Sequence, residues 1–197
     1  QTVRGMNKGL TPNELVEKVI LPDHLQQSEW LKEFYGKTQW SVRTVFDGYL
    51  GFYDGNPTTL LPLKMKEKAE RLEKLAGGKN KLISSIEEAS NSNDHKWVLE
   101  LTDAALLLYP EDKKLKDLRI KALTALGMAE SNPPARNYYL ASALELQGVA
   151  NKHLITPTSD LVNDIPLSAI FSGMAAHLDA EKSIDVNKKA LFVFTDT

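Results

Sequence analysis

Apolar residues recur at helical spacing along most of the chain, most clearly between residues 81 and 148. Recurrence every three or four positions predicts amphipathic helices, and Pro110, Gly127 and Gly148 are suited to end three of them. Large residues alternate with alanines, which predicts closely packed antiparallel helices. The four stripes are Leu82, Ile83, Ile86 and Ala89; Trp97, Leu101, Ala104, Ala105 and Leu108; Leu115, Leu118, Ala122, Ala125 and Leu126; and Tyr139, Ala143 and Leu146.

The first 35 residues also read as helical. Residues 1–8 resemble the end of a helix, followed by Gly9 in a left-handed conformation. In Thr11-Pro12-Asn13-Glu14, Thr11 and Glu14 have the spacing of a capping box, and Pro12 suits the first helical position. Leu21-Pro22 should break this helix. A second helical stretch is expected from about Pro22 to Tyr35.

A wide apolar stripe follows between residues 42 and 53, made of Val42, Val45, Phe46, Tyr49 and Tyr53. Gly48 and Gly51 lie in the same segment, and glycine inside a helix is unfavourable by roughly 1 kcal/mol relative to alanine. The pair therefore predicts a close backbone approach, with helix packing favoured over a ligand. Residues 54–57 read as a turn, and a charged helix over 64–76 should end at Gly77-Gly78.

The last fifty residues change character. Residues 149–157 read as a linker, Ser159 or Asp160 as the start of a short helix, and Pro166 as the start of another. The alternating run of residues 190–197 is typical of a strand, although one strand has nothing to pair with. We therefore predict a mainly all-α domain over residues 1–150, and the incomplete beginning of an α+β domain over 151–197.

Composition narrows the function classes. The 197 residues carry 24 Lys and Arg against 26 Asp and Glu, a balance that argues against nucleic acid or an anionic membrane as the main partner. No apolar run approaches the ~18–20 residues of a membrane span. Cysteine is absent and the four histidines are scattered. A metal site within the segment is therefore not expected, and no nucleotide-binding or hydrolase motif appears.

The five arginines are better candidates for binding an anion than the lysines. Arginine presents a planar fork to carboxylate, phosphate or sulfate and stays charged when desolvated. Arg4 lies among Val3, Met6 and Asn7, and Arg136 lies beside two tyrosines. For either residue, a surface ion pair or a helix cap is the ordinary alternative.

The helices between Trp97 and Leu126 have the aromatic–alanine–leucine rhythm of tetratricopeptide pairs. They cover fewer than two full repeats, whereas a solenoid normally needs about three. The rhythm predicts a repeat-like bundle rather than an array. It also supports an alternative function, a non-enzymatic helical adaptor that binds a peptide.

Taken in order, several motifs resemble the alkyl sulfatases of the metallo-β-lactamase superfamily. The resemblance covers the chain almost throughout. The residues from about 156 to 197 look like the opening of the sterol-carrier-protein-like C-terminal domain of these enzymes. The motifs are residues 4–15 (RGMNKGLTPNEL), Leu21-Pro22, residues 34–36 (FYG), residues 40–43 (WSVR), residues 49–57 (YLGFYDGNP) and residues 132–140 (NPPARNYYL).

The resemblance implies a parent enzyme that hydrolyses alkyl sulfate esters such as dodecyl sulfate with two zinc ions. In that family a metallo-β-lactamase-fold catalytic domain precedes an all-helical dimerisation domain. This chain would be the dimerisation domain, forming a homodimer and contacting the catalytic domain. The zinc-binding H-x-H-x-D-H motif is absent here, so the segment alone should bind no catalytic zinc and be inactive. Family members are often exported, although the compartment stays open.

The resemblance also implies two substrate-binding residues and no catalytic residue in this segment. Arg4 matches the arginine of the family's "LR" stretch, and Tyr49 matches the tyrosine of its "YLG" stretch. Both would hold the sulfate group. A guanidinium fork suits sulfate oxygens, and a phenol can donate a further hydrogen bond while its ring lies against the alkyl chain. Tyr49 also belongs to the apolar stripe, so burial in a helix interface is the competing interpretation.

Overall fold

The computed structural model describes residues 1–149 and 165–193. The chain divides into two compact units, Gln1–Lys152 and His153–Thr197. Within the described ranges every regular element is a helix, which confirms the mainly all-α prediction. No helix in those ranges is both long enough and apolar enough to cross a bilayer.

Ten α-helices and one 3₁₀ turn, Glu29–Leu31, are described in the first unit. The helices are α1 (Thr2–Met6), α2 (Pro12–Lys18), α3 (Asp23–Gln26), α4 (Thr38–Leu50), α5 (Pro57–Leu60), α6 (Met65–Ala76), α7 (Lys79–Asn91), α8 (His95–Leu108), α9 (Lys113–Ala129) and α10 (Pro133–Leu146).

Helices α1, α2 and α4 pack together as a small N-terminal group. The capping box is present at the start of α2: the Thr11 hydroxyl accepts from the Glu14 amide, and the Glu14 carboxylate accepts from the Thr11 amide at 2.9 Å. The buried core of the group is small, consisting of Leu15, Val42 and Phe46. The local helix signals were thus confirmed, but this group buries little apolar surface.

The helix predicted from Pro22 to Tyr35 is wrong. The segment contains only the single turn of α3 and the 3₁₀ turn that follows it. Its large apolar side chains, Trp30, Leu31, Phe34 and Tyr35, are exposed rather than packed. An isolated helix of this length is marginal in water without a buried face. The helical spacing of apolar residues was therefore not sufficient to form a helix here.

Helices α6 to α10 form the larger group, which carries the main core of the described chain. Helix α8 packs against α6, α7 and α9, and α9 packs against α10. Its largest buried cluster lies on α7, α8 and α9 and falls on the predicted stripes with Val98 added: Leu82, Ile86, Ala89, Val98, Leu101, Ala105, Leu115 and Ala122. The alanines in this set let the helix backbones approach closely, as their spacing predicted.

Gly127 does not end α9 as predicted, because the helix continues to Ala129. Gly127 is buried, and a Cβ atom on it would lie 2.8 Å from Cγ and Cδ2 of Leu140. The glycine therefore serves the close approach of α10. By contrast, a Cβ on Gly48 would meet nothing within 4 Å. The close approach predicted at Gly48 is thus not made within the described chain, and Gly51 instead ends α4 with a φ of +74°.

The described part of the second unit contains α11 (Leu167–Ala176) and α12 (Ala180–Ser183). Helix α11 follows Pro166, as predicted. The expected strand is not formed over residues 190–193, which are irregular, and a strand without a neighbour has no ladder to join. The expected helix start at Ser159 or Asp160, most of the linker and residues 194–197 lie outside the described residues.

The two glycines of α4 and α9 give opposite predictions for the same substitution. Gly127→Ala should lower the free energy of unfolding by about 1–3 kcal/mol, because the added methyl group collides with Leu140 in a packed interface. Gly48→Ala should raise it by about 0.5–1 kcal/mol, because alanine is the better helix former and has open space there. Urea denaturation of the three proteins measures both. A stabilised Gly127→Ala variant would contradict the assigned close approach.

Candidate functional site

Arg4 and Tyr49 lie on helices that pack against each other. Arg4 is exposed on α1, whose neighbouring Gly5 is buried against Leu15. Tyr49 is in the last turn of α4, and 71% of its surface is exposed. The α4 positions that enter the core are Val42 and Phe46. The competing interpretation of Tyr49 as a buried packing residue is therefore not met within the described chain.

Arg4 differs from the other four arginines in its surroundings. Arg43 donates to the Asn13 carboxamide, Arg71 pairs with a glutamate one helical turn earlier, and Arg119 is bound inside the larger helix group. Among the described residues, the guanidinium of Arg136 donates a hydrogen bond only to the sulfur of Met128. Across residues 1–149 and 165–193, Arg4 has no hydrogen-bond or ion-pair partner. Its five donors are thus free to meet an anion.

Arg119 illustrates the structural use of an arginine in this fold. Its Nη1 donates to the Leu99 carbonyl at 3.0 Å and to the hydroxyl of buried Thr102 at 2.9 Å, and it pairs with Asp103 at 2.7 Å. These bonds tie α9 to α8. The sequence could not separate this residue from Arg4, because both are single arginines in helical segments.

Asn132 links the larger helix group to the segment before α4. Its side chain is fully buried. The carboxamide oxygen accepts from the Ala135 amide at 2.9 Å and so caps α10, while Nδ2 donates to the carbonyls of Glu33 at 2.6 Å and Gly36 at 3.2 Å. Every polar atom of this side chain thus has a partner. The residue both begins a helix and anchors a loop that lies 96–99 positions earlier.

An ion pair reinforces this link. Lys37 Nζ lies 2.6 Å from Glu130 Oε2, and both side chains are largely shielded from solvent. Glu130 Oε1 accepts from the Asn132 amide at 3.1 Å. The ammonium of Lys37 and this amide stabilise the ionised carboxylate, so the pKa of Glu130 lies below its ordinary value. We call Asn132, Glu130 and Lys37, with the carbonyls of Glu33 and Gly36, the polar clasp.

A second polar cluster joins α6, α7 and the loop before α9. The Tyr109 hydroxyl donates to Glu73 at 2.8 Å, and Lys79 Nζ lies 4.0 Å from the centroid of the Tyr109 ring. Lys79 also pairs with Asp112 at 3.0 Å. The hydrogen bond to Glu73 raises the pKa of Tyr109. All four groups are satisfied by one another, which is typical of a structural cluster.

The N-terminal group exposes far more apolar surface than the sequence pattern predicted. A groove of about 520 Å³ lies beside α2, where apolar residues such as Val19, Ile20 and Phe34 share the lining with polar and charged ones. Trp30, Tyr35, Phe52 and Leu61 are each more than 80% exposed. Large apolar side chains that stay exposed in this number are more typical of an interaction site than of ordinary surface.

The described residues do not form a metal centre. No group of three or more His, Asp or Glu side chains among them is arranged to hold a metal ion. The placement of the zinc ligands in a preceding region stays a prediction.

The described residues first define the class of protein, an all-helical domain built from two helix groups, with exposed apolar side chains and a guanidinium on Arg4 that has no partner among them. The family described as alkyl sulfatase dimerisation matches residues 11–148. The chain therefore belongs to the alkyl sulfatase dimerisation family.

Relatives across the chain carry consistent names. A linear primary-alkylsulfatase from Pseudomonas sp. (strain ATCC 19151) is 38% identical over all of this chain and 39% of its own length. An (R)-specific secondary-alkylsulfatase from Pseudomonas sp. is 30% identical over 97% of this chain and 29% of its own length. The solved structure of the stereoselective inverting sec-alkylsulfatase Pisa1 from Pseudomonas sp. matches with a TM-score of 0.84 and 30% identity. That match covers 92% of this chain and 29% of the solved one.

The polar clasp predicts a large effect from one buried substitution. Asn132→Ala should lower the free energy of unfolding by about 2–3 kcal/mol, because it removes a helix cap and both loop anchors. Asn132→Asp keeps the cap but places a carboxylate oxygen against two carbonyls, so it should also destabilise. Asn56→Ala, which removes an exposed cap of α5, serves as the control and should cost no more than about 1 kcal/mol. Equal losses for Asn132→Ala and Asn56→Ala in urea denaturation would contradict the anchoring role.

The ion pair predicts a pH dependence of stability. A depressed pKa in the folded state means that Glu130 stabilises the fold above its unfolded pKa, near 4.3, and loses this contribution as the pH falls through the folded value. Glu130→Gln should therefore be less stable than the wild type at pH 7, and the difference should shrink below about pH 4. Thermal unfolding between pH 7 and pH 3 measures this. A difference that stays constant would exclude the ionised pair as its cause.

Proposed function

We propose that this chain is the dimerising part of an alkyl sulfatase that hydrolyses alkyl sulfate esters to alcohol and sulfate. The observation that carries the proposal is the family match over residues 11–148, together with relatives named as alkylsulfatases along the whole chain. The chain spans 39% of the length of the first relative and 29% of the second. The catalytic activity therefore belongs to a longer protein, to which this chain contributes.

The proposed contribution to substrate binding is a pair of hydrogen-bond donors, Arg4 and Tyr49. An alkyl sulfate has one negative charge shared by three oxygens, which suits the planar fork of an arginine without another partner. The exposed phenol of Tyr49 adds a neutral donor and an apolar ring. Donors that meet the sulfate oxygens also stabilise the charge that grows on departing sulfate. The packing of α1 on α4 supports a shared role for the two side chains.

The remaining chemistry is assigned outside this chain. Two zinc ions would be held by a catalytic domain of the metallo-β-lactamase fold in the same protein. The helical domain would pair with a second copy and lie beside that catalytic domain, and the second unit would begin a sterol-carrier-protein-like domain. The family match favours this function over a peptide-binding adaptor.

Substitution of Arg4 in the full-length protein tests the substrate role. Arg4→Ala should lower kcat/KM for dodecyl sulfate about 10- to 100-fold, the range expected when a hydrogen bond to a charged group is lost. Tyr49→Phe should lower it about fivefold, because only a neutral donor is removed. Zinc content should be unchanged in both variants.

The matched control is Arg71→Ala, which removes an exposed guanidinium that pairs with Glu67 on α6. This variant should keep kcat/KM within about twofold, since surface ion pairs contribute little. If Arg4→Ala and Arg71→Ala behave alike, Arg4 does not bind the substrate. If the full-length wild type releases no sulfate from dodecyl sulfate, the proposed activity itself fails.

A further inference from the structure

Gly5 marks the place where α1 meets the core of the N-terminal group. Of the five residues of α1, it is the one that is buried. A Cβ atom on Gly5 would collide with Cδ2 of Leu15 and would lie 3.3 Å from Cδ1 of Leu10. Its φ is outside the left-handed region that favours glycine, and alanine is the better helix former. Space, not backbone conformation, therefore requires the glycine.

The side chain that meets Gly5 has no room to move aside. Leu15 is 1% exposed and belongs to a buried cluster with Val42 and Phe46 of α4. Protein interiors are packed so densely that an added methyl group displaces its surroundings instead of entering a void. Because α4 holds Leu15 in place, a side chain at position 5 would displace α1.

Backbone hydrogen bonds also tie Gly5 to the start of α2. The Gly5 carbonyl accepts from the amide of Lys8 at 2.9 Å and from the amide of Leu10 at 3.2 Å. Leu10 directly precedes Thr11, the N-cap of α2. A helix as short as α1 is not stable by itself in water. These bonds and the contact with Leu15 therefore fix where α1 lies.

The position of α1 matters because of the residue beside Gly5. Arg4 directly precedes it, is exposed and has no hydrogen-bond or ion-pair partner among the described residues. Since no bond within that part of the chain holds its guanidinium, the backbone of α1 sets where this side chain begins. Tyr49 follows Phe46 by about one turn of α4. Leu15 thus contacts the helix that carries Arg4 and packs on the helix that carries Tyr49.

We propose that Gly5 is a positioning residue for the hydrolysis of alkyl sulfate esters: by letting α1 pack closely against Leu15, it places the guanidinium of Arg4 where the sulfate group binds. The inference rests on the proposed substrate role of Arg4. Gly5 acts through Arg4 and touches no substrate. A displacement of α1 by about 1 Å is enough to matter, since a misplacement of that size can lower a rate about 100-fold.

Substitutions in the full-length enzyme test the contact between Gly5 and Leu15. Gly5→Ala should lower kcat/KM for dodecyl sulfate about 10-fold or more, because it displaces α1. Leu15→Val should keep kcat/KM within about threefold of the wild type, since it removes a single methylene group from the core. The double variant should stay within about threefold of Leu15→Val, because valine has no Cδ atom for the new methyl group to meet.

Two further comparisons separate a positioning role from a purely structural one. Gly48→Ala is the matched control, because it adds the same methyl group beside Tyr49, where nothing lies within 4 Å. It should change kcat/KM by no more than about twofold. In an Arg4→Ala background, Gly5→Ala should lower kcat/KM by less than about twofold further, because two changes that remove one interaction are not additive. Circular dichroism verifies that each variant is folded.

The outcomes separate the two proposals. An Arg4→Ala variant with unchanged kcat/KM overturns the substrate role of Arg4 and the positioning role of Gly5 together. If Arg4→Ala is impaired while Gly5→Ala behaves like Gly48→Ala, the positioning role alone is overturned. It is also overturned if Gly5→Ala has its full effect in the Arg4→Ala background, because the glycine then does not act through Arg4.

The double variant covers the case in which Gly5→Ala does not fold. Gly5→Ala combined with Leu15→Val should still fold and should match Leu15→Val in kcat/KM, because the collision is relieved. A double variant that does not fold, or that stays as impaired as Gly5→Ala, shows that contact with Leu15 is not the reason for the glycine and overturns the inference.

Discussion

The polar clasp at Asn132 joins two helix groups that otherwise have separate cores. A buried carboxamide is costly unless all its hydrogen bonds are made, and here the cap of α10 and two carbonyls of the 33–36 loop satisfy it completely. Glu130 and Lys37 add an ion pair at the same place. Because Asn132 serves both the helix and the loop, the start of α10 determines where the segment leading into α4 lies.

The N-terminal group depends on this link. Its buried core consists of Leu15, Val42 and Phe46, which is little apolar burial against the entropy of ordering more than fifty residues. The larger group has a core of eight buried residues, and the polar clasp lets it stabilise the smaller group. Because this group buries so little apolar area, many of its apolar side chains stay on the surface. The small core of the N-terminal group and its exposed apolar side chains therefore have one physical origin.

The arginines show how the fold places one residue type in two different surroundings. The guanidinium of Arg119, on α9, binds a carbonyl, a hydroxyl and a carboxylate of α8. Arg4 lies on the short helix α1, and the residue after it, Gly5, is the one that is buried against the core. The side chain of Arg4 is left to solvent on a helix packed against α4, which bears Tyr49. The residue type is identical in the two places, and only the surroundings differ.

The sequence determined what depends on near neighbours along the chain. The capping box of Thr11 and Glu14, the turn at residues 54–57 and the stripes of α7 to α9 are local, and the signal was sufficient for each. Motif resemblance, not periodicity, predicted Arg4 and Tyr49 as substrate-binding residues. Tertiary structure decided the partners of Asn132, the role of Gly127 inside α9 and the absence of a long helix after Pro22. Each of these depends on contacts between residues far apart in the chain. A periodic pattern shows which side chains are apolar, but it does not show which residues pack against them.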